Sequence, residues 1–314
     1  MKKSLNLQIF KTKHIFIYLV LIIILAAGLR TIRAFEQNRY DPDAYLYFKM
    51  AENITDVGFE NAYFPSPFMP FLLPYFESCG SYIGLSPETT GLLLGGVLGS
   101  LMPLAAFVII MSIVGRKRSK TGDQRLETED QRPETREWGP ETIDQRLETT
   151  EINEQRSTNN EQPSTINKQF LALLGAFLIA VHPFLIRISV SCMRECLYIP
   201  ILFFAVMFAI IAINKKSVLL WAIVAILSSL GTMTRTEGIE ILIIFLIWCV
   251  CNITYSLFSK QNSRFEYYYI KTFVLYMVIF LAVIIPVEIY LLNTNCNWSI
   301  TLAAERGMRL FKWN

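Results

Sequence analysis

Three short polar segments carry the side chains best suited to chemistry. The first, Asp41-Pro42-Asp43-Ala44-Tyr45-Leu46-Tyr47, gathers two carboxylates and two tyrosines around a helix start. Asp41 before a proline suits the N-cap, with Pro42 at the first helical position. Asp43, Tyr47 and Ala51 then fall four apart on one face of a short interfacial helix. A carboxylate there either complements the helix dipole or takes a proton from an attacking hydroxyl. The second segment is Arg194-Glu195, a charged pair that either snorkels at a membrane boundary or faces a ligand. The third is Thr234-Arg235-Thr236-Glu237-Gly238. Thr234 and Glu237 have the spacing of a capping box, which gives Glu237 a structural duty and leaves Arg235 without one. An arginine beside a helix start either holds a phosphate or anchors the chain at an interface.

The elements that must position these groups are apolar helices. The chain has 314 residues, 53% of them hydrophobic, with a mean hydropathy of +0.39. Charge is segregated rather than spread, which excludes an ordinary soluble domain. The apolar runs are long enough to cross a hydrocarbon core of about 30 Å. Backbone groups in lipid must pair within their own segment, so the runs are expected to be helices, and none alternates as a membrane strand would. The expected fold is all-α, a polytopic transmembrane bundle of about seven spans at 15–34, 90–114, 169–187, 196–213, 217–233, 238–257 and 272–292. Lys2, Lys3, Lys11 and Lys13 precede the first span, which reads as a signal anchor. Most of the 29 lysines and arginines fall on one side if the N-terminus is cytoplasmic. All three polar segments then lie on the external face.

The chain divides into three parts. Residues 1–120 hold two spans and the external loop 35–89, rich in tyrosine, phenylalanine and proline, a composition that suits a membrane–water interface. Residues 121–168 are a polar, low-complexity insertion in which Asp-Gln-Arg-Leu-Glu-Thr occurs at 123–128 and again at 144–149. Such a composition cannot build a core and reads as a disordered cytoplasmic segment. Residues 169–314 hold five further spans and an external C-terminal end. Of the six cysteines, Cys192, Cys196, Cys249 and Cys251 read as small buried hydrophobes rather than metal ligands.

The external segments resemble a family. Asp43-x3-Tyr47-x3-Ala51-Glu52-Asn53-Ile54, followed by Ser66-Pro67-Phe68-Met69-Pro70-Phe71-Leu72-Leu73, resembles the first external loop of the GT-C glycosyltransferases. The nearest group includes the dolichyl-phosphate-mannose protein mannosyltransferases and the lipid A aminoarabinose transferase. Ser191-Cys192-Met193-Arg194-Glu195-Cys196-Leu197-Tyr198 resembles the family's Ser-Glu-x-Leu-Tyr segment, and Leu230 to Gly238 its Leu-Thr-Arg-Pro-Glu-Gly segment. Thr236 stands where the family has proline, Met69 where it has an aromatic residue, and Ser66 in place of the first proline of a pair. The family usually has several more spans and a distal soluble domain, so the chain reads as an N-terminal part, from a truncated or split frame.

The resemblance implies a sugar transfer from a polyprenyl phosphate to a glycan, lipid or protein hydroxyl at the outer face of a cell membrane, with no nucleic acid partner. It implies Asp43 as the base and Arg235 as the cation on the departing phosphate. Asp41, Tyr47, Glu195 and Glu237 are further substrate contacts. Some relatives use a divalent metal ion, for which Glu195 or Asp41 would be the ligands here. The alternative is a non-enzymatic or transport protein. That class places ionisable groups near mid-bilayer, and Glu240 and Glu288 are the nearest to such a position.

Overall fold

The computed structural model describes residues 2–37, 40–62, 70–115, 162–258 and 263–293. Residues 116–161 with nearly all of the insertion, residues 66–69 of the Ser66-to-Leu73 motif and the C-terminal end from 294 lie outside the described residues. Every element among the described residues is helical. The α-helices are α1 (Lys2–Glu36), α2 (Pro42–Val57), α3 (Leu72–Ser81), α4 (Pro87–Gly115), α5 (Gln162–Val181), α6 (Pro183–Ser189), α7 (Arg194–Lys215), α8 (Val218–Thr234), α9 (Ile239–Phe258) and α10 (Ser263–Asn293).

Four helical stretches are long and apolar enough to cross a membrane: His14–Glu36, Pro87–Val114, Arg194–Lys215 and Tyr267–Leu291. A fifth is added if α5 and α6, bent by 55° at His182, count as one span. Proline at the first position of α6 forces that break, because it lacks the N–H that would continue the ladder. The apolar stretches Val218–Thr234 and Ile239–Tyr255 are shorter. This is the architecture of an integral membrane protein, with four to five helices of spanning length where the sequence suggests about seven.

The segment after α1 folds as the Asp-Pro signal predicts. Asp41 caps α2 by accepting from the Asp43 N–H at 3.2 Å, and Pro42 takes the first helical position. Gly58, at φ +77°, closes the helix with its N–H on the Ile54 carbonyl, a conformation that glycine adopts without strain. Ala44, Tyr47, Phe48, Met50, Ala51 and Ile54 form the buried stripe of α2. Tyr47, Met50 and Ile54 join Leu72 and Leu73 of α3, Cys196 and Leu197 of α7 and Met233 of α8 in one core. The loop is therefore packed onto the spans, not draped over them.

Small residues set the approach of α4. Gly91, Gly95 and Gly99 repeat every fourth residue, and a Cβ on any of them would collide with a neighbour. At Gly95 that neighbour is the Ser189 carbonyl at the end of α6, and at Gly99 the Ser189 hydroxyl and Arg30. Close backbone approach of this kind replaces the hydrophobic drive that lipid cannot supply. A second core, Trp221, Phe245, Cys249, Tyr276 and Phe280, fixes α8, α9 and α10, with the Tyr276 hydroxyl donating to Ser228 at 2.6 Å.

Among the described residues two ionisable side chains are fully buried, and neither is Glu240 or Glu288. Arg30 of α1 donates to the Ser189 hydroxyl at 3.2 Å and to the Ala26 carbonyl at 3.0 Å. Glu77 of α3 is enclosed with neither carboxyl oxygen hydrogen-bonded. Burial pushes its pKa up to about 9, so it is a neutral acid at pH 7. Of the cysteines, Cys192, Cys196 and Cys249 are buried as expected, while Cys251 is exposed.

Candidate functional site

The loop between α6 and α7 turns sharply to bring Glu195 to the site. Cys192 adopts φ +52°, a left-handed conformation uncommon outside glycine, and the chain then enters α7 at Arg194. Glu195 sits in the first turn of α7, where a carboxylate complements the helix dipole. Its Oε1 accepts from Arg194 Nε at 3.2 Å and from Arg235 Nη1 at 3.1 Å. Its Oε2 is buried with no hydrogen-bond partner.

Arg235 is braced from two sides. Its Nε lies 3.0 Å from Glu237 Oε2, but the N–H is not aimed at that oxygen, so this contact is an ion pair without a well-formed hydrogen bond. Its guanidinium also lies 5.9 Å from the centre of the Tyr198 ring. The close contact with the Glu237 carboxylate, with the charge of Glu195 beyond it, holds Arg235 more firmly protonated than usual, against a smaller opposing effect of burial. Burial works against ionisation of Glu237, but Arg235 outweighs it and lowers the Glu237 pKa.

The capping box expected at this turn does not form. Thr234 ends α8 and turns its hydroxyl back onto the Leu230 carbonyl, the i−4 bond that Ser and Thr make inside helices. The chain reaches α9 through a 3₁₀ turn, Thr236–Gly238. Glu237 is thereby left to pair with Arg235.

A polar cavity of ≈ 490 Å³ opens beside Glu195. Its wall includes Asp41 at the start of α2, Tyr40 before it, Arg33 and Gln37 at the end of α1, and Arg187 and Ser191 around the end of α6. The size suits a small-molecule headgroup. Among the residues named from sequence, Asp41 and Glu195 line this cavity, whereas Asp43 and Arg235 do not. Asp43 is exposed in the first turn of α2. Tyr47 is buried; burial holds its hydroxyl well above the usual phenol range, opposed by Arg194 and reinforced by Glu195, Asp43 and Glu77. The two aspartates, the tyrosine and Glu195 thus share one electrostatic neighbourhood, and Arg235 and Glu237 join it through Glu195.

Sequence reasoning passed over Arg33, Tyr40 and Arg187. Arg33 and Arg187 read as ordinary charges at span ends, and no local pattern marks them as partners across about 150 residues of chain. Among the described residues, no group of three or more His, Cys, Asp or Glu side chains is placed to hold a metal ion. Asp41 and Glu195 do not fit a divalent ion well, since one Glu195 oxygen already carries two arginines. The chain matches no family model and no curated protein sequence.

Proposed function

We propose that this chain is a GT-C-type glycosyltransferase that moves a sugar from a polyprenyl phosphate to an acceptor hydroxyl at the outer membrane face. The seven-span topology belongs to this proposal, with α8 and α9 as short spans. The observation that carries it is the cavity at the α1–α2–α6–α7 corner, where two carboxylates face two arginines.

Chemistry assigns the roles. As the acceptor oxygen attacks the anomeric carbon, its proton passes to a carboxylate, and the carbon–phosphate oxygen bond breaks with its electrons kept by the lipid phosphate. The base falls to the first turn of α2, where Asp41 lies on the cavity wall and Asp43 stands beside it. Arg33 and Arg187 face the position where phosphate charge develops. Arg235, already bonded to two carboxylates, orients Glu195 rather than meeting the donor. Glu195 in turn holds Arg194 and Arg235 at the cavity's edge.

Sugar release from a panel of radiolabelled polyprenyl-phosphate sugars tests this directly. Turnover by the wild type that is lost in Asp41→Asn or Asp43→Asn supports the transferase and picks the base. A folded wild type inert toward every donor, with an acceptor panel of lipid, glycan and peptide hydroxyls, would sink the reading.

A further inference from the structure

We infer that Arg30, enclosed behind the wall of the polar cavity, is a positioning residue for an anion there, and that its uncompensated charge sets how tightly the cavity holds an oxyanion. The inference rests on the transferase reading only in taking the cavity as the place where an anion sits.

Arg30 is 1% exposed. Its Nε donates to the Ser189 hydroxyl and its Nη1 to the Ala26 carbonyl, while Nη2 has no partner. Both acceptors are neutral, and among the described residues no carboxylate pairs with it. A guanidinium stays protonated at any ordinary pH, so the fold carries a fixed positive charge where water does not reach. Such a charge is costly unless something compensates it, and an ionisable group inside a spanning helix marks function before structure. The acceptors do not require it either. The Ser189 hydroxyl already donates to the Leu185 carbonyl, and the Ala26 carbonyl lies in the helix ladder opposite the Arg30 N–H. Packing therefore accounts for the stem of Arg30 and not for its charge.

The polar cavity lies beside that charge. On α1, Arg30 is one turn from Arg33, which lines the wall. On α6 and the loop after it, Ser189 falls between the wall residues Ile188 and Ser191. The face of α4 against Arg30 offers only Gly99. The carboxylates around the cavity are already engaged: Glu36 lies 3.5 Å from Arg33, Glu195 binds Arg194 and Arg235, and Asp41 caps α2. An anion in the cavity supplies the counter-charge that the fold withholds. Arg30 acts on it through the intervening wall, without contact. A unit charge about 10 Å from a singly charged anion, at an effective dielectric constant of about 20, changes affinity on the order of tenfold.

The test uses the full chain in nanodiscs of neutral lipid, with inorganic pyrophosphate as the probe and binding read by calorimetry. Arg30→Met keeps an apolar stem and removes the charge. It should weaken pyrophosphate binding about tenfold. Its melting temperature without the probe should stay at or above that of the wild type, because an apolar side chain in place of an enclosed charge is neutral or stabilising. Ser189→Ala removes the bond and leaves the charge, so it should lower the melting temperature and keep the affinity close to wild type. If Arg30 merely pegged α6 in place, both variants would lose stability and binding would follow stability. That pattern, a folded wild type that does not bind pyrophosphate, or an unchanged affinity in Arg30→Met would each overturn the inference. Weakened pyrophosphate binding in Arg30→Met, in a chain that transfers no sugar from any donor, would leave it standing and remove the transferase reading. Sugar transfer with a donor KM untouched by Arg30→Met would do the reverse.

Discussion

Glu195 stands between an open half and a closed half of the same polar corner. On the open side it shares a cavity wall with Asp41, Arg33 and Arg187. On the closed side it is bonded to Arg235, above a packed layer that holds Tyr47, Glu77 and the Gly91–Gly95–Gly99 stripe. The segments most conspicuous in sequence fall largely on the closed side. Arg235 sits in the most motif-like stretch of the chain, yet its charge is spent on two carboxylates. Arg187 sits in no motif and faces the cavity. A charged group with a strong local signature is often one the fold needs in place, whereas a group that meets a ligand can be left exposed.

If the halves differ in this way, substitutions on the open side should change turnover and spare stability. Asp41→Asn is the sharpest case, because asparagine caps a helix about as well as aspartate. Loss of the base alone should cost roughly 10²–10⁴ in sugar-transfer rate, with a melting temperature close to wild type. Asp43→Asn is the matched control. A larger loss in Asp43→Asn would move the base off the cavity wall and back to the residue that the family resemblance implies.

How legible this was follows from the range of each signal. The start of α2, with its cap and its proline, was readable because those determinants lie within two residues of Asp41, whereas its end at Gly58 was not. That Asp41, Glu195 and Arg235 gather at one corner was readable from the shared sidedness that the order of the apolar runs gives their segments. Whether Thr234 caps forward or bonds backward was not, since its buried place at the end of α8 decides it. Arg33 and Arg187 come to line one cavity only through the break at His182, and the Gly91–Gly95–Gly99 stripe acquires meaning only when α6 lies on it. Glu77 gave no signal at all, because nothing in its neighbours in sequence announces that a carboxyl will be enclosed.

Closed-side changes should act on stability. Glu77 has its pKa raised by burial to about 9. Between its ordinary value of 4.5 and about 9 the folded chain holds a proton that the unfolded chain has released. Stability from this group is therefore lost as pH rises through that window. Glu77→Gln removes the titration, so the variant should gain on wild type from pH 5 to 9, with a slope of up to about 1.4 kcal/mol per pH unit, and the gap should level off above that. Thermal melts across the pH series check it; a constant gap would mean that Glu77 is solvated. Gly95→Val should cost about 1–3 kcal/mol by forcing α4 from the Ser189 carbonyl. Gly96→Ala, next along the helix but with nothing within 4 Å of the added carbon, should stay within about 0.5 kcal/mol of wild type.

The smallest expected effect separates the two arginines most cleanly. Arg187→Gln should raise the donor KM about tenfold, the loss of one charged hydrogen bond to phosphate, with no change in melting temperature. Arg235→Gln should lower the melting temperature, and its effect should depend on Glu195. The side chains are 29% and 19% exposed, so solvent screens the pair only in part. A double-mutant cycle with Glu195→Gln should return a coupling of about 1 kcal/mol in stability. The same cycle run with Arg187→Gln should return about zero in stability, because Arg187 shares a wall with Glu195 and not a bond. Strong coupling of Glu195 to Arg187, with none to Arg235, would invert the assignment and make Arg235 the cation that meets the phosphate.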